Sequence, residues 1–150
     1  MAPPISIDPK TGSICLGDSV RLSANDPKAA IEHKIAEWLH GSRNHGNGYE
    51  WLDLRGFSFG GHPAALSLCF HDDCLVQAAW GVQLPNAPSE GGWPTRKAID
   101  DEVKFVRTTL TNMIEFKDGF GRSQFPWGEV WSDFDNKGFL ASNGLRYRRS

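Results

Sequence analysis

The sequence predicts one α+β domain, with an antiparallel sheet of about six to seven strands and two helices packed on one of its faces. Three observations lead to this prediction. The chain has 150 residues, the size of a single domain. Short segments of strand-forming residues are separated by tight turn signals, which is typical of antiparallel pairing. Two segments have apolar residues at helical spacing instead. The predicted order is ββ-α-βββ-α-ββ over residues 1–150.

The first elements are a hairpin and a helix. Apolar strand residues in the segments 5–7 and 13–16 flank an Asp-Pro-Lys-Thr-Gly turn, which predicts two paired strands. Asn25 or Asp26 can cap a helix that has Pro27 in its first turn. This helix is predicted to end at Gly41, before a loop at 42–48. Its apolar face consists of Ile31, Ile35, Trp38 and Leu39.

The remaining elements follow the same signals. Strands are predicted at 49–59, 64–70, 75–84, 127–134 and 139–147. Turns are predicted at 71–74 and 135–138, and a Pro- and Gly-rich loop at 85–94. Residues 95 to about 115 predict the longer helix, because an apolar stripe repeats at helical period. The stripe is Ile99, Val103, Val106, Leu110, Met113 and Ile114. Within 49–59, Trp51, Phe57 and Phe59 are expected to share one face.

Composition narrows the classes of function. The 18 acidic and 16 basic residues give a net charge of −2. This balance lacks the basic surface of a nucleic-acid-binding protein and argues against an anionic membrane partner. Three cysteines do not complete a disulfide framework, and the opening residues do not resemble a secretion signal. We therefore expect a cytoplasmic protein with reduced thiols.

One cluster has residues that could bind a metal. Cys69, His71 and Cys74 flank a predicted tight turn, which would bring two thiols and an imidazole together. Zn²⁺ accepts such ligands, but a closed structural site needs a fourth. The alternative is two half-buried thiols beside a turn histidine, and we predict no metal and no other cofactor.

Catalytic motifs are missing from the sequence. The Glu37–His40 spacing occurs in di-iron bundles, which need a second such motif on another helix. Neither a nucleophile elbow nor a phosphate-binding glycine loop is found. The sequence therefore predicts no catalytic residue, and we expect a protein that is not an enzyme.

Surface recognition is the function that the remaining pattern favours. Trp93, Trp127 and Trp131 lie near turns and strand ends, and Trp127, Glu129 and Trp131 alternate along one predicted strand. Tryptophan and complementary charge recur at protein interfaces. The predicted partner-binding residues are Trp93, Trp127, Glu129, Trp131, Asp133 and Asp135. An acidic, aromatic face of this kind suits a basic protein partner. In the alternative, both strand tryptophans pack beneath the helices.

The two ends of the chain resemble a class of small bacterial proteins. The resemblance lies in residues 7–17, in 125–138 and in the Leu145-Arg-Tyr147 segment that follows. Some of those proteins look like immunity proteins of polymorphic or contact-delivered toxin systems. The resemblance implies a cytoplasmic protein that binds a cognate toxin domain and blocks its active site. The near-neutral charge departs from the acidity expected of nuclease inhibitors. The alternative is a small enzyme or ligand-binding protein with a pocket of convergent polar groups.

Overall fold

A computed structural model describes residues 2–117 and 121–149 of the chain. In chain order its strands are β1 (Ile5–Ile7), β2 (Ile14–Leu16), β3 (Val20–Leu22), β4 (Leu39–Asn44), β5 (Tyr49–Phe59), β6 (His62–His71), β7 (Cys74–Val82), β8 (Ser89–Glu90), β9 (Trp93–Pro94), β10 (Arg122–Phe125), β11 (Gly128–Asp135) and β12 (Leu140–Tyr147). Its helices are α1 (Lys28–Ile35), a 3₁₀ turn (Ala36–Trp38) and α2 (Arg96–Ile114).

The main sheet has seven antiparallel strands in the order β10-β11-β12-β7-β6-β5-β4. This confirms the predicted α+β class. The opening hairpin pairs as predicted, but with β3 it forms a separate three-stranded sheet. The main sheet has seven strands because β4 and β10 form its two edges, and the sequence did not predict either of them. A third, two-stranded sheet joins β8 and β9.

The first helix is shorter than predicted. It ends at Ile35, and the chain passes through the 3₁₀ turn directly into β4, where a helix end and a loop were expected. Pairing with β5 overrides the local helical pattern here, since Arg43 lies opposite Trp51. His40 is therefore a strand residue, and the helical face predicted to join it to Glu37 does not exist.

The N-terminus of α1 also differs from the prediction. Pro27 occupies the N-cap position, and no side chain caps the helix. The Asp26 carboxylate accepts a hydrogen bond from the Ser23 amide at 2.8 Å, which fixes the turn after β3 instead.

The second helix confirms its prediction closely. The Thr95 hydroxyl accepts a hydrogen bond from the Ala98 amide at 3.1 Å, and Glu115 ends the helix in the left-handed conformation. Its buried residues are Ala98, Ile99, Val103, Val106, Leu110 and Ile114. Burial of each larger aliphatic side chain stabilises the fold by about 1.5–3 kcal/mol. In the described part of the chain, no helix has the length and apolar character needed to cross a bilayer.

A bulge in β5 sets which of its residues enter the core. Leu54 pairs with Leu66 and Phe57 with Ala64, so two residues of β5 oppose one of β6. Gly56 lies in this bulge with φ +100°, a conformation that glycine adopts without strain. The extra residue reverses the alternation of the strand. The prediction that Trp51 shares a face with Phe57 is therefore wrong, because Phe57 is buried and Trp51 faces outward.

The main sheet splits at one end. Pairing between β7 and β12 stops at Trp80 and Asn143. Beyond this point the Val82 amide donates to Glu102 Oε2 of α2 at 3.2 Å. The Asn143 side-chain amide donates to the same oxygen at 2.9 Å and to the Trp80 carbonyl at 3.1 Å. The Ser132 hydroxyl donates to Asn143 Oδ1 at 2.7 Å. These hydrogen bonds form a polar network that connects β7, β11, β12 and α2 at the split.

The pH dependence of stability is the first prediction. Burial raises the pKa of Glu102, against the smaller opposing effect of its two hydrogen bonds. The folded protein holds this proton more tightly than the unfolded chain does. The free energy of unfolding should therefore fall as pH rises from the ordinary glutamate range through the raised pKa. Urea unfolding between about pH 4 and 7 measures this slope, which Glu102→Gln should make less negative. Equal slopes for wild type and variant would contradict the assignment.

Candidate functional site

One face of the main sheet buries the core against α2, α1 and the N-terminal sheet. The opposite face, here called the open face, carries the side chains that alternate with those of the core. Because the register is continuous, two rows of residues cross all seven strands from β10 to β4. The first row is Gln124, Glu129, Arg146, Gln77, Cys69, Trp51 and Arg43. The second row is Arg122, Trp131, Gly144, Ala79, Ser67, Asp53 and Gly41.

Trp131 lies flat on the open face. The opposite residue is Gly144, where an added Cβ would lie 2.6 Å from Trp131 Cζ2. The indole Nε1 donates to the Ser142 hydroxyl at 3.0 Å. The missing side chain at Gly144 therefore leaves the space that the ring occupies, and Ser142 fixes its orientation.

Two arginines flank this ring and share one carboxylate. The guanidinium carbons of Arg122 and Arg146 lie 5.1 and 5.7 Å from the Trp131 ring centroid. Glu129 pairs with Arg122 at 2.6 Å and with Arg146 at 3.7 Å. We call Arg122, Glu129, Trp131 and Arg146 the Trp131 cluster. Its charge is mixed, so the acidic character predicted for this strand is offset by the neighbouring strands.

A second cluster lies nearer the other edge of the sheet. Arg43 stands 5.3 Å from the Trp51 ring and forms two hydrogen bonds to Asp53, at 3.1 and 2.8 Å. Ser67 donates to Asp53 at 2.8 Å. Partial burial acts to raise the pKa of Asp53, but the hydrogen bonds from Arg43 and Ser67 outweigh it and lower that pKa. We call Arg43, Trp51, Asp53 and Ser67 the Trp51 cluster.

Small side chains form the floor between the clusters. Ala79 and Ser67 lie opposite each other on β7 and β6, with Cys69 and the longer Gln77 in the adjacent row, whereas the Trp131 ring covers Gly144. Three strands separate β11 from β5, so about 19 Å lies between the two tryptophan positions at the usual strand spacing. An α-helix with its side chains is about 10–12 Å across. We call the part of the open face between the two tryptophans the trough, and its width is comparable with that of one helix or one protruding loop.

The thiol in this floor does not support the metal alternative. Cys69 is 2% exposed. Burial raises the pKa of its thiol, and this effect outweighs the lowering by the charges of Arg146 and Arg43. A protonated thiol is a poor metal ligand. The predicted turn is confirmed, because Asp72 and Asp73 have positive φ and His71 pairs with Cys74. Within residues 2–117 and 121–149, no group of histidine, cysteine and carboxylate side chains could hold a metal ion.

The predicted alternation on β11 holds for two of its three residues. Glu129 and Trp131 both lie on the open face. Trp127 precedes the strand and packs toward the core, stacked on Phe125 with ring centroids 5.0 Å apart. Its indole donates to the Pro9 carbonyl at 3.0 Å, which fastens the N-terminal sheet to the main sheet. The prediction that Trp127 shares the strand face is therefore wrong.

The other three predicted residues lie outside the trough. Asp133 pairs with Arg107 of α2 at 3.4 Å, at the edge of the main sheet. Asp135 accepts the Lys137 amide at 3.0 Å and thereby supports the hairpin turn. Trp93 is 70% exposed, but it belongs to β9 of the small two-stranded sheet.

The sequence analysis missed the residues that complete the two clusters. Trp51, Arg43, Arg122 and Arg146 come from four strands, two of which were not predicted. The alternation of Trp51 with Asp53 was a local signal for an outward face. No local signal places Arg146 beside Trp131, because this follows from pairing alone.

Comparison with known proteins does not assign the chain to a group. No protein family matches it, and no curated protein or solved structure is significantly similar to it.

Proposed function

We propose that this chain is a non-catalytic protein-binding module whose partner docks on the open face. The observation that supports this most is the pair of tryptophan–arginine clusters on either side of a floor of small residues. Tryptophan and arginine are the residue types most enriched at binding hot spots. Arginines that already lie against aromatic rings lose little side-chain entropy when a partner covers them.

The mixed charge of the trough indicates what the partner surface contains. The Trp131 and Trp51 clusters each present arginine guanidinium groups beside carboxylates that are already paired. A partner segment with both a carboxylate and apolar side chains would complement this surface. The separation of about 19 Å between the two tryptophan positions suits one helix or one protruding loop.

The more specific proposal is an immunity protein. The partner would then be a cognate bacterial toxin domain, neutralised in the cytoplasm by occlusion of its active site. This rests on the resemblance of the chain ends to such proteins and on the docking trough. The trough suits occlusion, because it can enclose a protruding catalytic loop.

The second prediction tests whether a partner docks in the trough, by adding bulk to its floor. Trp131 is 8% exposed, and its indole is hydrogen-bonded to the Ser142 hydroxyl. Truncation of Trp131 would therefore disturb the sheet as well as the binding surface. Ala79 is half-buried in the floor, and Ala79→Gln adds neutral bulk there without touching the core face. We expect the variant to lose about 2 kcal/mol or more of partner affinity, roughly 30-fold, because it prevents close docking.

The measurement is quantitative affinity capture of the tagged protein from its native cells, followed by titration of the captured partner. Thr108→Gln introduces the same glutamine side chain on the exposed side of α2 and should bind as wild type does. Unchanged affinity for Ala79→Gln, with wild-type thermal unfolding, would rule out the trough. The immunity proposal further requires that the partner arrest growth when expressed alone and that co-expression of this chain restore it. A harmless partner would exclude immunity and leave the binding module.

A further inference from the structure

A cavity of about 1290 Å³ lies where the main sheet splits, beside the first turns of α2. The splayed ends of β7 and β12, the start of β6 and the loop before β8 enclose it. Its walls are mainly apolar, with Phe57, Ala64, Val82, Leu84, Ile99 and Leu140 among them. Binding sites for small molecules are typically apolar clefts of about 300–1,000 Å³ with few polar groups. The lining is that of such a site, and the volume lies somewhat above this range.

Only two charged side chains of the described residues line this cavity, Glu102 and Arg55. Glu102 is half-buried, and its Oε2 accepts hydrogen bonds from Val82 and Asn143, both neutral donors. None of the described lysines and arginines forms an ion pair with it. Arg55 lies on the exposed bulge of β5, where water screens its charge. The cavity therefore holds one desolvated carboxyl group that has no counter-charge.

We propose that this cavity binds a small amphipathic amine, whose ammonium group pairs with Glu102 and whose hydrocarbon part covers the apolar walls. An entering ammonium group supplies the missing positive charge and lets Glu102 ionise in place. An acidic ligand would meet the same carboxyl group without a buried cation to balance it. A neutral ligand would gain the apolar contacts alone.

A purely structural role for Glu102 makes a different prediction. Its carboxyl group also closes the split of the sheet, and a neutral amide could serve that purpose equally well. Glu102→Gln keeps the size of the side chain and an oxygen that accepts from Val82 and Asn143. Only the ability to become a negative charge is lost.

The test compares n-octylamine, 1-octanol and octanoate, which share one hydrocarbon chain, by calorimetric titration at neutral pH. We expect the wild type to bind octylamine at least about tenfold more tightly than the other two. Glu102→Gln should lower the affinity for octylamine to that for octanol. Asp101→Asn removes the same charge from the neighbouring position of α2, outside the cavity, and should leave the preference unchanged.

Two further variants keep the outcome decisive. Ala87→Trp places bulk on the exposed loop at the cavity wall and should weaken binding of octylamine about tenfold or more, even if Glu102→Gln fails to fold. Ala79→Gln blocks the trough of the open face and should leave amine binding intact. The proposal is overturned if no probe binds, if octanol or octanoate binds as tightly as octylamine, or if Asp101→Asn and Glu102→Gln behave alike.

Discussion

Gly128→Ala is expected to lower the free energy of unfolding by more than about 4 kcal/mol. Gly128 has φ +156° at the start of β11. A Cβ at this position would overlap the carbonyl oxygen of Arg146, which is backbone and cannot rotate away. Arg146 is itself held between Glu129 and Gln77 in the sheet. Relief of the overlap would therefore separate β11 from β12.

The measurement is urea or thermal unfolding followed by circular dichroism. Gly81→Ala is the matched control, because Gly81 is an exposed strand residue with nothing within 4 Å of an added Cβ. We expect that control to stay within about 1 kcal/mol of wild type, in line with ordinary glycine-to-alanine changes. A Gly128→Ala protein that unfolds at the wild-type midpoint would show that the strands can shift apart at little cost.

Local sequence signals predicted the elements whose structure depends on local energetics. The helix at 95–115 was found because its apolar stripe repeats at helical period, and the Thr95 cap and the left-handed Glu115 of the structure agree with those limits. The turn at 71–74 was found because Asp favours the left-handed conformation that Asp72 and Asp73 adopt. The turn predicted at 135–138 from its Asp, Asn and Gly lies one residue later, at 136–139, and its left-handed residue is Phe139. Strand β5 was predicted with its observed limits.

Long-range pairing decided the elements that were missed. β4 has Gly41 and exposed polar residues, and it forms a strand only because β5 offers it a partner. The bulge at Gly56 inserts one residue, and a shift of one residue moves every later side chain to the other face. An isolated glycine in a strand can signal such a bulge, but its position in the register depends on β6.

The same distinction applies to the candidate site. Glu129 and Trp131 were predicted on one face because alternation along a strand is local. The trough itself depends on the pairing of β12 with β7. The paired residues of these two strands are more than 60 positions apart in the chain. The cavity depends on where that pairing stops. Helical period alone placed Glu102 on α2 without indicating that it faces a split sheet.

Asn143→Leu is expected to lower the free energy of unfolding by about 3 kcal/mol. Leucine has the same branched arrangement of heavy atoms as asparagine but lacks its polar atoms. The substitution leaves the Trp80 carbonyl and the Glu102 carboxyl group without their Asn143 donor, and it leaves the Ser132 hydroxyl with only the Val103 carbonyl, 3.5 Å away, as an acceptor. Asn143 is 2% exposed, so water cannot easily replace these bonds.

Chemical denaturation of four variants, Asn143→Leu, Ser132→Ala, their combination and Asn112→Leu, separates this polar effect from a general loss of asparagine. Asn112→Leu on the exposed side of α2 should change stability by less than about 0.5 kcal/mol. Ser132→Ala combined with Asn143→Leu should cost less than the sum of the single changes, because each single change already breaks the hydrogen bond between the two side chains. Additive losses would show that the two side chains act independently. Coupled losses would show that one network closes the split, and that the cavity beside Glu102 owes its shape to it.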